Sequence, residues 1–357
     1  MVTVKCKRIH DRESVMNIQD LAKINQQELR DFYLSSEESM LYTDYKYLSL
    51  LQEHLSCDIK YLVHYEGSKI IAAMPFAIKE SKHGKIYNSL PYFGSNGGVI
   101  SSSNSNELKL NLVNNFFSIA EKNYALSATF ISNPLSRDSD FFMENIDCSF
   151  KDQRIGQITT LPSICDEELL LSKFSNPRPR NIRKAIKEKV NIVKQNSEGI
   201  DFLYQIHLEN MEAIGGTPKK ESFFKKIPKF FKDSEWNIYT AYHDSKPISA
   251  LLVFYFNQTI EYFTPVTLSD YRNYQPMSLI IFEAMKDAIK RGQRNWNWGG
   301  TWLSQKGVYD FKKKWGAADY PYHYFIKVYD NDLKKFSKNI LNENYYGFYT
   351  IPYEKLG

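Results

Sequence analysis

The stretch Asn295–Ala317, NWNWGGTWLSQKGVYDFKKKWGA, decides how the rest of the chain is interpreted. Its first residues alternate asparagine with tryptophan, a pattern typical of a short β-strand with two different faces. The strand runs into Gly299 and Gly300, where the backbone can approach a ligand without an intervening side chain. A short predicted helix then carries Lys312 and the two lysines that follow it. Together these features suggest an anion site; the alternative is a solvated lysine run beside ordinary core aromatics.

The composition indicates a globular protein large enough for two domains. The chain has 357 residues, of which 43% are hydrophobic and 15% aromatic, and this length and composition favour two packed domains over a disordered chain. The 46 lysines and arginines outnumber the 41 acidic residues, which gives a net charge of +5. This mild basicity suits phosphate-bearing ligands and does not demand nucleic acid.

Cysteine and histidine form none of the spacings that mark a metal site or a catalytic thiol. The four cysteines are scattered, at Cys6, Cys57, Cys148 and Cys165, as expected for reduced thiols in a cytoplasmic protein. The seven histidines make no metal-binding pair, so we predict no metal. The N-terminal residues lack the apolar core of a signal peptide, and no apolar run is long enough to predict a transmembrane segment.

A hairpin sequence occurs twice, which predicts a duplicated domain. YEGSKIIAA, from Tyr65, and YHDSKPISA, from Tyr242, share five of nine residues at a constant offset of 177 positions. In both copies a helix precedes the hairpin, and a strand, a polar loop, a helix and a further strand follow it. A repeat this long indicates duplicated domains rather than a solenoid. We therefore predict an α/β protein with two similar domains and mixed, largely antiparallel sheets, in which 59–78 and 236–256 are equivalent hairpins.

The predicted boundaries follow from this repeat. The first domain covers 1–165 and begins with a short strand at Val2–Cys6, the second covers 190–330, and a C-terminal helix and tail cover 331–357. Between the domains, 166–189 contains a basic helix. We predict that its Arg183 and Lys184 face a cleft between the domains, where ligand sites often form. The alternative is a solvated linker.

The order of elements and several motifs resemble the FemABX family and its GNAT-like acetyltransferase relatives, which have two GNAT domains in tandem. The resemblance covers roughly residues 40 to 325. It is carried by the motifs MPFAI, SLPYFGSNGGV, RNIRKAIKEKVNI, the pair Tyr271-Arg272, NWNWGGT and GVYDFKKKWGA. In that fold the third strand of a domain splays away from the next one, and the acyl donor lies in the opening.

The resemblance implies transfer of an acetyl or aminoacyl group to an amine of a cell-envelope or surface-polysaccharide precursor. The implied donor is acyl-CoA or, as in peptidoglycan-modifying members of the family, an aminoacyl-tRNA. The acceptor would be a phosphate-bearing small molecule or a lipid-linked substrate, with Lys312 near the phosphate. The candidate substrate-binding residues are Lys312, Arg183, Lys184, Tyr271, Arg272, Asn297, Gly299 and Gly300.

Two departures from the family pattern bear on the donor. The segment Arg272–Met277 has no glycine where GNAT proteins carry a glycine-containing pyrophosphate loop, although Pro276 suits a helix start. The chain also has no room for the helical arm that some FemABX members insert in the second domain. The missing glycine bears on acyl-CoA binding, and the missing helical arm bears on tRNA binding.

Glu261 and Tyr309 are the candidate catalytic residues. A partly buried carboxylate such as Glu261 can accept a proton from the attacking amine, and Tyr309 can donate one to the leaving group. The alternatives are a strand-face carboxylate paired with a lysine and an ordinary core tyrosine. Asp310 is a further carboxylate, and the reaction can also proceed without an essential base. A different class of function, a non-catalytic RNA-binding or scaffold protein, is also compatible with the basic junction. The sequence leaves the oligomeric state open.

Overall fold

The computed structural model of the protein describes residues 14–92, 97–103, 105–136 and 138–356. The strand predicted at Val2–Cys6 lies outside these residues, as does part of the SLPYFGSNGGV motif. Several of the helices begin at a side-chain cap. Asn25, Ser105 and Asp166, for example, each accept a hydrogen bond from a backbone N–H in the first turn of the helix that follows.

The first half of the chain forms one set of strands and helices. Its strands are β1 (Ser14–Asp20), β2 (Asp58–Glu66), β3 (Lys69–Ser81), β4 (Gly84–Asn88), β5 (Ile100–Ser101), β6 (Ala125–Ile131) and β7 (Phe150–Thr160). Its helices are α1 (Gln26–Leu34), α2 (Tyr45–Leu55), α3 (Asn106–Lys122) and α4 (Ser139–Asn145). Two junction helices follow, α5 (Glu167–Ser172) and α6 (Arg178–Lys187).

The second half repeats this order. Its strands are β8 (Asn191–Gln195), β9 (Trp236–His243), β10 (Lys246–Phe256), β11 (Thr259–Thr267), β12 (Asn295–Thr301) and β13 (Ala318–Val328). Its helices are α7 (Ile200–Glu212), α8 (Glu221–Phe230), α9 (Pro276–Lys290) and α10 (Lys306–Lys313), and α11 (Lys338–Asn344) belongs to the C-terminal tail.

The two hairpins share an irregularity that shows their equivalence. In the β2–β3 pair, His64 lies opposite Ala72 and Tyr65 opposite Ile70, so the intervening Ile71 has no partner. In the β9–β10 pair, the residue skipped in the same way is Ile248, 177 positions later. A β-bulge bends and twists a strand at a defined point. Both hairpins therefore have the same local shape, and the predicted duplication is confirmed.

All described strands except β5 follow one another in a single sheet, in the order β1-β2-β3-β4-β6-β13-β7-β12-β11-β10-β9-β8, and β5 pairs with β3. Only the β4–β6 and β11–β12 pairs are parallel among the described strands, which confirms the predicted mixed, largely antiparallel α/β fold. The order has one feature that the predicted boundaries did not include. The last strand of each half, β7 or β13, lies beside the other half's sheet. The boundaries at 165 and 190 remain a prediction.

Within the described residues the hydrophobic core has three parts, which use alternate residues of the same strands. Leu62 of β2 packs with α3 and α4, whereas its neighbours Tyr61 and Val63 face α1 and α2. In the second half α6 and α9 cover the corresponding outer face. The four helices α1, α2, α7 and α8 share one core, with α2 packed on α8. This shared core joins the two halves.

Ion pairs reinforce the contact between the halves. Glu235, before β9, accepts hydrogen bonds from Arg30 at 2.8 Å and from Lys46 at 2.7 Å. Glu53 of α2 pairs with Lys226 and Lys229 of α8. The first cluster is more buried than the second, so it is less exposed to screening by salt.

The pairing of β7 with both β12 and β13 depends on a small residue at Gly156. A Cβ atom there would lie 2.9 Å from the carbonyl oxygen of Tyr320 and 3.1 Å from Cβ of Pro134. Because the first contact is with backbone of a paired strand, it cannot be relieved by a side-chain rotation. We expect Gly156→Ala to lower the free energy of unfolding by about 1–3 kcal/mol, measured by urea denaturation.

The matched control is Gly307→Ala, in α10. A Cβ atom at Gly307 would meet nothing within 4 Å, and alanine is favoured over glycine in a helix by about 0.5–1 kcal/mol. The control should therefore be as stable as the parent or slightly more stable. Equal stability of the two variants would contradict the close packing inferred at the centre of the sheet.

Candidate active site

Two parallel strands separate in the second half of the sheet and leave an opening. The pairing of β11 with β12 ends at Glu261 opposite Asn297, although β11 continues to Thr267 and β12 to Thr301. In the first half the corresponding strands, β4 and β6, stay paired to the end of β4, and the amide of Ser89 extends the pairing to the carbonyl of Thr129. The opening is therefore a feature that distinguishes the two halves.

Glu261 lies at the point where the strands separate. Its side chain is buried; Oε2 accepts hydrogen bonds from Nδ2 of Asn297 at 2.7 Å and from the hydroxyl of Tyr42 at 3.3 Å. Oε1 is buried without a hydrogen-bond partner in the described residues. Because burial disfavours the charged form, it raises the pKa of Glu261 to about 8. A carboxyl group with a pKa near neutrality is suited to accept a proton and to release it.

Asn297 connects this carboxyl group to the glycine pair. Its Oδ1 accepts a hydrogen bond from the amide of Gly299 at 2.9 Å, while its Nδ2 donates to Glu261. The register of β12 against β7 shifts between Asn297 and Gly300, and Gly299 has a φ of +73°. This left-handed conformation is strained for a residue with a side chain. Glycine at 299 therefore permits the bulge in β12, after which Gly300 and Thr301 pair again with β7.

Lys312 of α10 forms hydrogen bonds to the end of β12. Its Nζ donates to the carbonyl oxygens of Gly299 at 3.3 Å and Gly300 at 3.2 Å, and to Oγ1 of Thr301 at 2.8 Å. All three of its N–H groups thus have acceptors in the protein. The side chain is buried, which lowers the pKa of the ammonium group to about 8. Whether Lys312 also approaches a substrate phosphate remains a prediction.

The other two lysines of the run point elsewhere. Lys313 is partly exposed, with Nζ 3.5 Å from a carboxylate oxygen of Asp319, and Lys314 is exposed. Phe311 and Trp315 pack against Trp298, which fixes the rotation of α10. The run is therefore divided between one buried lysine and two at the surface.

The junction helix contacts α10 through a residue that the sequence analysis did not select. The guanidinium of Arg178 lies 4.3 Å from the ring centre of Phe311, and its Nη2 donates to the carbonyl oxygen of Phe311 at 3.4 Å. Arg183 and Lys184 are exposed on the same helix. Ile182 of that helix is buried and packs in the hydrophobic core. A role for Arg183 and Lys184 in binding remains a prediction.

The remaining predicted residues lie outside the hydrogen-bonded group around Glu261. Tyr309 is partly exposed and donates from its hydroxyl to Asp319 at 2.7 Å, which raises the pKa of Tyr309. Tyr271 packs against Tyr274, and Arg272 is exposed in the turn before α9. The structure thus brings together Glu261, Asn297, Gly299, Gly300 and Lys312. It adds Tyr42, a first-half residue with no distinctive sequence signal.

A cleft of about 550 Å³ begins beside Gly300 and extends to the C-terminal tail. Aromatic side chains form much of its lining: Tyr92, Trp302, Tyr322, Tyr324, Tyr346, Phe348, Tyr349 and Tyr353. Such rings offer large surfaces for stacking on a ligand. The sequence signal for this cleft was the aromatic cluster at 345–353, which the sequence analysis assigned only to the tail.

Hydrogen bonds attach the tail firmly to the first half of the sheet. Asn88 of β4 accepts from the amide of Tyr349 at 2.7 Å and donates to its carbonyl oxygen at 2.8 Å. The hydroxyl of Ser127 donates to the carbonyl of Thr350 at 2.7 Å. These buried polar bonds fix the tail as one wall of the cleft.

The described residues contain no cluster of side chains suited to hold a metal ion. Among the helices in the described ranges, none combines the length and the apolar character needed to cross a membrane. These observations concern only the part of the chain that the structure describes.

Comparison with known proteins identifies the opening as part of a known type of domain. Residues 178–313 match the family model described as "Acetyltransferase (GNAT) domain". This range contains β11, β12 and the helices on either side of them. No curated protein matches the chain significantly in sequence.

Solved structures share the fold of the whole chain. FemX aligns with a TM-score of 0.70 and 13% identity, over 87% of this chain and 96% of FemX. A tandem GNAT protein from the clavulanic acid biosynthesis pathway has a TM-score of 0.53 and 11% identity, over 87% of this chain and 98% of that one. The C-terminal domain of a putative lysylphosphatidylglycerol synthetase from Agrobacterium fabrum has a TM-score of 0.54 and 11% identity, with coverages of 85% and 90%. At these identities the likeness establishes the fold.

The raised pKa of Glu261 predicts how stability depends on pH. The native protein holds this proton more tightly than the unfolded chain, whose glutamate has an ordinary pKa of 4.5. The contribution of Glu261 to the free energy of unfolding therefore falls as the pH rises from 4.5 to about 8. In Glu261→Gln the side chain keeps an oxygen that accepts from Asn297 but does not titrate. The variant should gain stability relative to the parent between about pH 5 and about pH 9.

Urea unfolding of both proteins at several pH values measures this difference. Groups other than Glu261 titrate alike in the two proteins and cancel in the comparison. Parallel pH profiles would contradict a raised pKa at Glu261.

The family match over the second half, the duplicated domain and the splayed strand pair agree with one another. The second half of the chain contains a GNAT domain, the chain shares the fold of FemX and of a tandem GNAT protein, and the protein is an acyltransferase.

Proposed function

We propose that the protein transfers an acyl group from acyl-CoA to an amine of a cell-envelope or surface-polysaccharide precursor. The observation that carries this proposal is the opening between β11 and β12, which has a buried, readily protonated carboxyl group at its apex. The donor would occupy this opening. The acceptor would enter through the aromatic cleft beside Gly300. The absence of a similar opening between β4 and β6 supports a single donor site in the second half.

The reaction requires a neutral amine, a polarised carbonyl group and restricted access of water. The amine nitrogen forms a bond to the acyl carbon, the bond from that carbon to the thiol sulfur breaks, and the amine loses a proton. Glu261 would accept this proton, directly or through a water molecule. Tyr309 remains the candidate donor to the departing thiolate. No covalent enzyme intermediate is needed.

The turn before α9 would receive the phosphates of the donor. The exposed Arg272 lies in this turn, Gln275 has a φ of +59°, and Pro276 begins the helix. A helix N-terminus attracts anions through its free backbone N–H groups. Arginine and helix amides together could replace the missing glycine-containing loop, with Tyr271 on the adjacent surface.

An aminoacyl-tRNA is the second candidate donor, and one observation favours it. The junction helix and its flanks expose a series of cations: Arg180, Arg183, Lys184, Lys187 and Lys189. A row of exposed positive charge suits a nucleic-acid backbone, and binding through it would weaken steeply with salt. The acceptor in that case would be a peptidoglycan precursor. A phosphate-bearing or lipid-linked acceptor fits either donor, and a non-catalytic RNA-binding or scaffold role would show binding without turnover.

The direct test incubates the protein with acetyl-CoA and a nucleotide-linked amino sugar, and follows thiol release and the mass of the acceptor. A stoichiometric mass increase of one acetyl group is expected, and Glu261→Gln should lower kcat by about 10²–10⁴-fold, the usual contribution of general base catalysis. Aminoacyl-tRNA replaces acetyl-CoA in a parallel reaction. Transfer from neither donor to a panel of amino sugars and amino-sugar peptides would contradict the proposal.

The donor site itself gives a sharper prediction. Arg272→Gln should weaken acetyl-CoA binding by roughly 1.5–3 kcal/mol if the arginine bonds to a phosphate, measured by calorimetric titration. The control is Lys290→Gln, which removes the same charge from an exposed residue at the opposite end of α9. Equal effects of the two variants would show that only overall charge matters.

The lysine run predicts a graded effect on the acceptor. Lys312→Ala should weaken binding of a phosphorylated acceptor by roughly 1.5–3 kcal/mol, whereas Lys313→Ala and Lys314→Ala should do less. Steady-state kinetics of the three variants, with folding checked by circular dichroism, measure the difference. Lys312 also donates hydrogen bonds to three acceptors of the protein. The stability of the Lys312→Ala variant toward urea is therefore measured alongside its kinetics. Equal, small kinetic effects of the three variants would contradict a role of Lys312 in binding the acceptor.

A further inference from the structure

Arg154 is a buried cation in the wall of the aromatic cleft. It lies on β7, and only 5% of its surface is exposed. Its guanidinium carbon lies 3.4 Å from the ring centre of Trp302 and 5.2 Å from that of Tyr324. A guanidinium group between two aromatic faces is held in a fixed plane and loses little further freedom on binding a ligand.

One side of this guanidinium is paired and the other is not. Nη1 donates to a carboxylate oxygen of Asp152 and to the carbonyl oxygen of Gln153. Nε and Nη2 have no hydrogen-bond acceptor within the described ranges. Asp152 also accepts from the hydroxyl of Tyr349 at 3.1 Å. The carboxylate thus orients the arginine, while the remaining N–H groups are left for another acceptor.

The charge of the cleft is favourable for an anion. Among the described residues that line it, Arg154 is a buried cation and none is an aspartate or glutamate. Lys220 lies nearby, with Nζ 4.4 Å from the ring centre of Tyr346. A buried cation in a wall whose described lining has no carboxylate attracts anionic ligands, on the side of the guanidinium that does not face Asp152.

We propose that Arg154, between Trp302 and Tyr324, forms an anion subsite that binds a carboxylate or phosphate group of the acceptor. Planar guanidinium groups bind both kinds of oxyanion with paired hydrogen bonds. The aromatic rings around the subsite would pack against an adjoining ring of the same molecule. The link to the acceptor rests on the proposed function, whereas the subsite itself rests on the cleft.

The fluorescence of Trp302 can report on anion binding at the subsite. Its ring stacks on the guanidinium although half of its surface is exposed, in the loop between β12 and α10. An anion bound to Arg154 should change the environment of this ring and therefore its fluorescence. Trp302→Phe identifies the part of the signal that comes from residue 302.

The experiment titrates the full chain with inorganic phosphate and, separately, with succinate, at constant ionic strength and without acyl donor. We expect a saturable change in the fluorescence of the parent protein that is absent in Trp302→Phe. Arg154→Gln should raise the dissociation constant by about tenfold or more, the usual loss of a hydrogen bond to a charged group. The stronger of the two anions identifies the acceptor group as phosphate or carboxylate.

Lys338→Gln is the matched control, because it removes the same charge from an exposed residue of the same cleft. It should change the dissociation constant by less than about threefold, as expected for a screened surface charge. Arg154→Lys keeps the charge and the pairing with Asp152 but loses the planar fork, so it should bind like Arg154→Gln.

Several outcomes would overturn the subsite. They are the absence of saturable binding to the parent, equal weakening in Arg154→Gln and Lys338→Gln, and full binding by Arg154→Lys. The double variant Asp152→Asn, Arg154→Gln removes both charges, and its thermal unfolding shows whether loss of binding reflects loss of folding. Because the titration needs no turnover, it can succeed when the proposed acyl transfer fails, and fail when transfer succeeds.

Discussion

The antiparallel pairing of β7 with β13 at the centre of the sheet is the contact on which the rest of the structure depends. Each strand ends one half of the duplicated chain and lies beside the sheet of the other half. The two half-sheets therefore become one, and α1, α2, α7 and α8 share a core over it. The same exchange places Arg154, from the first half, in a cleft that also contains Gly300 from the second.

The duplicated halves differ at the end of the parallel strand pair. In the first half, β4 and β6 remain paired, and the C-terminal tail is hydrogen-bonded over them through Asn88 and Ser127. In the second half the pairing of β11 with β12 stops at Glu261, and Lys312 donates to the carbonyl oxygens near the end of β12. One half thus provides an open strand pair and the other a surface for the tail. A symmetric duplication has therefore given two halves with different structural features.

The sequence was most informative where the signal was local. The paired hairpins at 59–78 and 236–256, the strand that carries the two glycines and the inward lysine all follow from short patterns, although that strand continues past the glycines to Thr301. Tyr42, Arg154 and the exchanged strands did not, because their positions depend on contacts between residues far apart in the chain. Glu261 could be selected from its place in a strand. Its raised pKa could not be predicted, because it depends on burial by the first half of the protein.

The strand exchange also has a consequence for synthesis on the ribosome. Ile158 of β7 pairs with Ala318 of β13. This edge of β7 can therefore pair only after β13 has been synthesised and has emerged from the ribosome. Contacts between such distant residues close late, since the chain between them must first be ordered. Until then the first half presents an unpaired strand edge, the kind of surface that leads to aggregation. Folding of the nascent chain is thus complete only after its C-terminal region has left the exit tunnel.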